Sequence, residues 1–157
     1  MIGIDTFSWL KILRLRNSKW KLVIEDLIDQ FDFFITSEGE KEFIYRFQDD
    51  SDLLSSICRL PVLNIKLDDY LKKGFDLNDS SLLEYAEIKG YRIITEDKPM
   101  LAEGITGKQN IVFLIDFLFE IYKRDQFFSS REFYQLVRLF RSWRNIKKKK
   151  AEKLLDQ

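Results

Sequence analysis

Residues 79–97, DSSLLEYAEIKGYRIITED, read as one repeat of a parallel sheet. Asp79 opens the helix SSLLEYAEIK, Gly90 ends it, YRIIT forms a strand, and Asp97 stands just beyond that strand. A helix and a strand joined by one glycine, with an acid at each end, place both carboxylates at the edge where parallel strands finish. Open α/β sheets bind their ligands in the crevice outside that edge.

The same grammar extends in both directions. Residues 2–5 read as a first strand, followed by the helix TFSWLKILRLRN. A second helix, SKWKLVIEDLIDQ, carries helix-period apolar positions at Trp20, Val23, Ile24, Leu27 and Ile28. FDFFIT predicts strand two, with a helix through Phe47 after it, and Asp49 to Arg59 predicts a further helix. Pro61 punctuates before VLNIK, read as strand three, and LDDYLKKG forms a short helix ended by Gly74. NIVFLI supplies strand five. Strands alternating with helices predict a mainly parallel sheet covered on both faces, a three-layer α/β/α architecture.

Asp5, Glu42, Asp79 and Asp97 then fall on one edge of the sheet. Each has a local explanation: Asp5 and Asp79 as helix caps, Asp97 as a turn residue before Pro99, Glu42 as an exposed helix glutamate. Those explanations do not account for acids recurring beyond several strands on the same edge. Clustered carboxylates repel one another unless a divalent cation holds them. With no histidine in the chain, the ion expected is Mg2+ or Mn2+ rather than zinc. Carboxylate-held ions suit phosphodiester hydrolysis, which needs an activated water and neutralisation of charge on the phosphate. Asp5, after the central strand, is the expected shared ligand, with Asp97 and Glu42 binding from the sides and Asp79 holding water. Thr6, Ser80 and Thr95 are hydroxyl neighbours expected to orient these carboxylates. Asp76 is the alternative to Asp79 if the helix starts earlier. Asp68, Asp69 and Asp116 are read as solvated or capping.

Composition narrows the class further. The chain has 157 residues, fourteen Phe, six Tyr, three Trp and a single cysteine, Cys58, which excludes an internal disulfide. Missing histidine excludes Ser-His-Asp and Cys-His chemistry, and no Walker loop or dinucleotide glycine fingerprint is present. No apolar run approaches the length of a membrane span, and the N-terminus has no basic n-region, which predicts a cytoplasmic protein without membrane contact. A phosphatase of the haloacid dehalogenase kind would need a second Asp where Phe7 stands.

Net charge is zero but uneven: from Arg131 onward nine Lys or Arg face three Asp or Glu, leaving the preceding residues acidic. Residues 129–157 are therefore read as a long basic helical extension of a 1–128 domain. It starts from a Ser129–Glu132 capping box, with Phe133, Leu136, Val137 and Phe140 on its apolar face. Arg138, Arg141, Lys147 and Lys148 are its candidate nucleic-acid contacts.

IGIDTFSWL, TSEGEKEF and DSSLLEYAEIKGYRIITED, in this order, resemble a PIN-domain ribonuclease over roughly residues 1–120. Residues 79–97 are the most specific part, with Ala86 as the small mid-helix residue and Thr95-x-Asp97 as the closing motif. The resemblance implies strand order 3-2-1-4-5, metal-binding acids at Asp5, Glu42, Asp79 and Asp97, Mg2+ or Mn2+, single-stranded RNA as substrate, and homodimers. An antitoxin-type protein partner is compatible with it. Among Glu38, Glu40 and Glu42, the choice of Glu42 rests on its spacing from Thr36. Many relatives carry a further acid where this chain has Pro99. The metal reads phosphate, so DNA as substrate stays open, and so does a non-catalytic RNA-binding role.

Overall fold

The computed structural model describes residues 1–124, 127–143 and 147–156. Five strands form one all-parallel sheet: β1 (Ile2–Ile4), β2 (Phe33–Thr36), β3 (Cys58–Leu60), β4 (Arg92–Thr95) and β5 (Ile111–Phe113), in the order β3-β2-β1-β4-β5. The chain moves outward from β1 first to one side and then to the other. Right-handed crossovers therefore place the intervening helices on both faces. The expected order and sheet type are both observed.

Between β1 and β2 lie α1 (Thr6–Arg16) and α2 (Lys21–Gln30); α3 (Ser37–Arg46) follows β2. Trp9, Ile12, Leu13 and Leu15 of α1 and Ile24, Leu27 and Ile28 of α2 are buried. The Trp9 ring meets Phe43 of α3 edge-on at 5.4 Å. On the other side, α4 (Leu67–Lys72), α5 (Leu77–Lys89) and α6 (Lys98–Gly107) contribute Tyr70, Leu82, Leu83, Tyr85, Ala86 and Met100 to a core with Phe34, Ile93 and Ile111. Gly3 on β1 permits the closest approach: a Cβ there would meet Phe34 Cζ at 2.8 Å and Ile93 Cδ1 and Leu82 Cδ2 at 2.9 Å.

Three expectations are corrected. Strand three is Cys58–Leu60, not VLNIK, and it runs beside β2 with Cys58 opposite Phe34 and Leu60 opposite Thr36. Pro61 has no N–H to continue the ladder, and Asn64 takes a left-handed φ of 57°, so the apolar residues after it cannot form an extended strand. The preceding segment is a 3-10 helix, Gln48–Ser56, rather than a helix running to Arg59. Helix α5 starts at Leu77, not at Ser80: Asp76 is its N-cap and accepts the Asp79 N–H at 2.8 Å. The alternative start weighed for this helix is thus the observed one. Two elements were not read from the sequence: α6, which Asp97 caps with Pro99 in its first turn, and the helix Leu114–Lys123, which begins where the expected fifth strand stops at Phe113.

The chain divides into two compact units, Met1–Phe113 and Leu114–Gln157. The second opens with α7 (Leu114–Lys123), and in it the basic segment is two helices, α8 (Ser130–Ser142) and α9 (Lys148–Leu155), rather than one. The expected Ser129–Glu132 capping box is present. Phe133 of α8 stacks on Tyr122 of α7 at 4.5 Å, and Lys150 of α9 pairs with Asp116 of α7 at 2.7 Å. Among the described residues, no helix is long and apolar enough to cross a membrane.

Candidate active site

Asp5 is held by three hydrogen bonds. It follows the central strand, is only 2% exposed, and caps α1. Its Oδ1 accepts the Ser8 N–H at 2.6 Å, and its Oδ2 accepts the Thr95 hydroxyl at 2.5 Å and the Glu96 N–H at 2.9 Å. β1 and β4 pair Ile4 with Ile94, which sets Thr95 beside Asp5 at the strand ends. The Thr95 oxygen in turn accepts the Asp97 N–H at 2.9 Å. One buried hydroxyl therefore links the Asp5 carboxylate to the backbone of Asp97, beyond the neighbouring strand. Asp97 is half-buried and its Oδ2 accepts the Met100 N–H at 3.3 Å.

Glu42 reaches the same edge from α3. Its Oε1 accepts from Arg46 Nε at 2.9 Å, and its Oε2 from Asn78 Nδ2 at 3.2 Å. Glu38 pairs instead with Lys41, and Glu40 with Arg59. Among the three glutamates of α3, Glu42 is thus the one tied to α5. The tie is Asn78, a buried amide that also contacts Thr6 Oγ1 at 3.4 Å. Gly39 leaves room for it: a Cβ there would meet Asn78 Oδ1 at 2.7 Å. Sequence reading missed Asn78, whose only local signal is its place directly before Asp79. It also missed Lys11, a nearly buried cation of α1 that pairs with Glu96 next to Asp5.

Asp79 feels all the others. Burial first, then the neighbouring carboxylates of Asp76, Asp5, Asp97 and Glu42, push its pKa from 3.8 up to about 8. Acids from four segments therefore share one electrostatic field, with Asp79 holding a proton at neutral pH. Ser80 does not play its expected part: its hydroxyl is buried with no hydrogen-bond partner among the described residues, and Thr6 contacts Asn78 rather than a carboxylate. Asp68 and Asp69 lie in the first turn of α4, and Asp116 pairs with Lys150.

The donor chemistry, carboxylate and hydroxyl oxygen without thiolate or imidazole, fits a hard divalent ion. In this conformation, no three such groups among the described residues are gathered closely enough to hold one. Comparisons with family models, with curated proteins and with solved structures returned no match.

The raised Asp79 pKa has a consequence for stability. The folded state binds this proton more tightly than the unfolded chain, so stability is highest at low pH and is lost as pH rises from about 4 through about 8. In chelator, the melting temperature is expected to be lower at pH 8.5 than at pH 5.5. Asp79→Asn should flatten that difference and stabilise the protein at pH 8.5 by about 1–2 kcal/mol. A variant with the same pH slope as the parent would show that Asp79 is not the titrating group.

Proposed function

We propose that this chain is a PIN-like, Mg2+- or Mn2+-dependent endoribonuclease that hydrolyses single-stranded RNA at the Asp5, Glu42, Asp79 and Asp97 edge. The observation that carries this reading is the shared field: burial lifts Asp79 first, and then the carboxylates of Asp76, Asp5, Asp97 and Glu42, which reach one sheet edge from separate segments. Like charges crowded together cost stability, and a dication is what would make such crowding favourable. When bound, such an ion supplies activation of water and neutralisation of charge on the scissile phosphate. Asp5 is pre-oriented by three donors and would anchor the ion. Thr95 keeps Asp97 aligned with it, and Asn78 keeps Glu42 turned toward the edge. Asp79 would release its proton as the ion binds.

Cleavage of end-labelled single-stranded RNA by purified protein in Mn2+, Mg2+ or chelator tests this directly. Cutting that survives chelation would refute the metal dependence. Ion binding also predicts a thermal signature. Manganese at 100 times its dissociation constant stabilises by about 2.7 kcal/mol, so millimolar Mn2+ should raise the melting temperature by several degrees. Asp79→Asn should start from a higher melting temperature in chelator and gain less from the ion. A parent melting curve indifferent to millimolar Mn2+ would count against this site.

One observation favours a second reading. No three acids among the described residues converge on a single point, as they would in a preformed metal centre. A non-catalytic RNA-binding or assembly module would bind RNA without metal and with a steep dependence on salt. In either reading, Arg138, Arg141, Lys147 and Lys148 are exposed and available to phosphate, with the Arg138 guanidinium 4.6 Å over the Tyr134 ring. A homodimer, an antitoxin-type protein partner and a cytoplasmic location belong to the same proposal.

A further inference from the structure

Phe7 lies in the first turn of α1, two residues after Asp5, yet it is 63% exposed. It lines a cavity of about 220 Å3 with Thr6, Leu10, Arg46 and Phe47. An aromatic ring is an expensive residue to leave in water beside a cluster of acids, and nothing in its helix requires it there, because α1 buries Trp9, Ile12 and Leu13 instead. The walls of this slot are apolar, and none of its lining residues is acidic. Its one charged group is the Arg46 guanidinium, whose Nε is held by Glu42 while the side chain stays 53% exposed. A second hollow, which Glu42 itself lines, differs in kind: Glu38 and Asp76 share it, with Lys41 as the one cation among its lining residues.

We infer that the Phe7–Arg46 slot receives one unpaired nucleobase of the single-stranded substrate, stacked against the Phe7 ring and flanked by the Arg46 guanidinium. This rests on the nuclease reading and adds the means by which the strand is held. A base offers a π-face to the ring and carbonyl and ring-nitrogen acceptors to the guanidinium, and the wall of Phe7, Leu10 and Phe47 suits a ring rather than a phosphate. Its position explains why a base belongs here. Thr6 is common to the slot and to the hydrogen-bonded chain that runs through Asn78 to Glu42, so a base seated in the slot leaves its own sugar–phosphate beside the acids. The hollow lined by Glu38, Glu42 and Asp76 is too acidic to attract the backbone, which leaves the Phe7 slot as the better seat for the strand. Duplex substrates cannot use the slot, because their bases are already stacked.

The test is a binding cycle in chelator, where no metal-dependent cleavage interferes. Fluorescence anisotropy would follow fluorescein-labelled eight-residue RNA and an abasic ribose-phosphate strand of equal length. Proteins with Phe7, Phe7→Ala and Phe7→Tyr would be compared, all substitutions at an exposed position. Phe7→Ala should weaken binding of the base-bearing strand about 10-fold and leave the abasic strand unchanged, while Phe7→Tyr keeps the parent affinity. Equal loss on both strands, no loss on either, or no binding of RNA by any of the three proteins would overturn the slot. So would a shift from dimer to monomer in sedimentation on Phe7→Ala, which would assign the ring to a second copy of the chain. Cleavage is scored separately. Metal-dependent cutting that ignores Phe7 removes only the slot, and base-dependent binding without cutting removes only the nuclease.

Discussion

Asp5→Asn is expected to lower metal-dependent RNA cleavage by about 10²–10³-fold, the scale on which losing one preorganised electrostatic group slows a reaction. The substitution is nearly isosteric, so the effect should fall on turnover more than on RNA affinity. It is not silent for folding, however. An asparagine oxygen can still accept the Ser8 N–H, but its amide nitrogen must then stand where Oδ2 receives the Thr95 hydroxyl and the Glu96 N–H. Thr95 can turn its hydroxyl and accept from that amide, but the Glu96 N–H, a fixed backbone donor, then faces another donor. One buried donor is left unmatched, at a cost of about 1–3 kcal/mol. The cleavage assay therefore needs a melting curve beside it, with rates compared well below both transitions. Asp97→Asn is the companion: its amide oxygen can keep the cap on Met100, so it should lose activity with little loss of stability. If both variants cut at the parent rate while chelator still abolishes cutting, the ion sits elsewhere.

The largest stability effect is expected far from these acids. Glu84 lies in α5 and is fully buried, and among the described residues its hydrogen bonds come from backbone N–H groups. Its Oε1 accepts the N–H groups of Ile65 at 2.7 Å and Lys66 at 2.5 Å, and its Oε2 accepts that of Asn64 at 3.3 Å. The Tyr85 hydroxyl donates to the Pro61 carbonyl at 2.6 Å, so two consecutive side chains of α5 hold the loop after β3. Successive N–H groups folded around one carboxylate form an anion nest, and here the protein supplies its own anion. Glu84→Ala leaves those donors without a partner and is expected to cost about 3–5 kcal/mol in urea unfolding, a large share of a domain's net stability. Glu84→Gln should fall between, since it retains one acceptor oxygen. Hydrogen exchange at 64–66 should accelerate in both. A Glu84→Ala protein as stable as the parent would mean that water satisfies the loop equally well.

This nest also explains where sequence reading went astray. VLNIK has the apolar content of a strand, and the residue that makes it a loop, Glu84, lies in the next helix but one. Local pattern cannot weigh that contact. Asp49 to Arg59 went astray for a related reason. The polar, helix-favouring start at 49–52 is real, but Cys58–Leu60 find a free edge on β2 that only the assembled sheet offers. The shift of α5 from Ser80 to Leu77 is smaller: Asp76 and Asp79 are both good capping residues three apart, and Asp76 takes the role.

The alternation of strand, helix and terminal acid was determined by the sequence itself. Strand-favouring runs, capping residues and helix-ending glycines act within a few residues of one another, so Asp5 and Asp97 could be placed at strand ends from neighbours alone. The tertiary structure alone decided which glutamate of α3 joins them, because that depends on Asn78 reaching across from α5 through the gap left by Gly39. It alone decided that Asp79 keeps a proton and that Phe7 and Arg46 face one slot. Desolvation, like-charge crowding and the shape of a cavity are set by groups distant in the chain, and no stretch of sequence contains them.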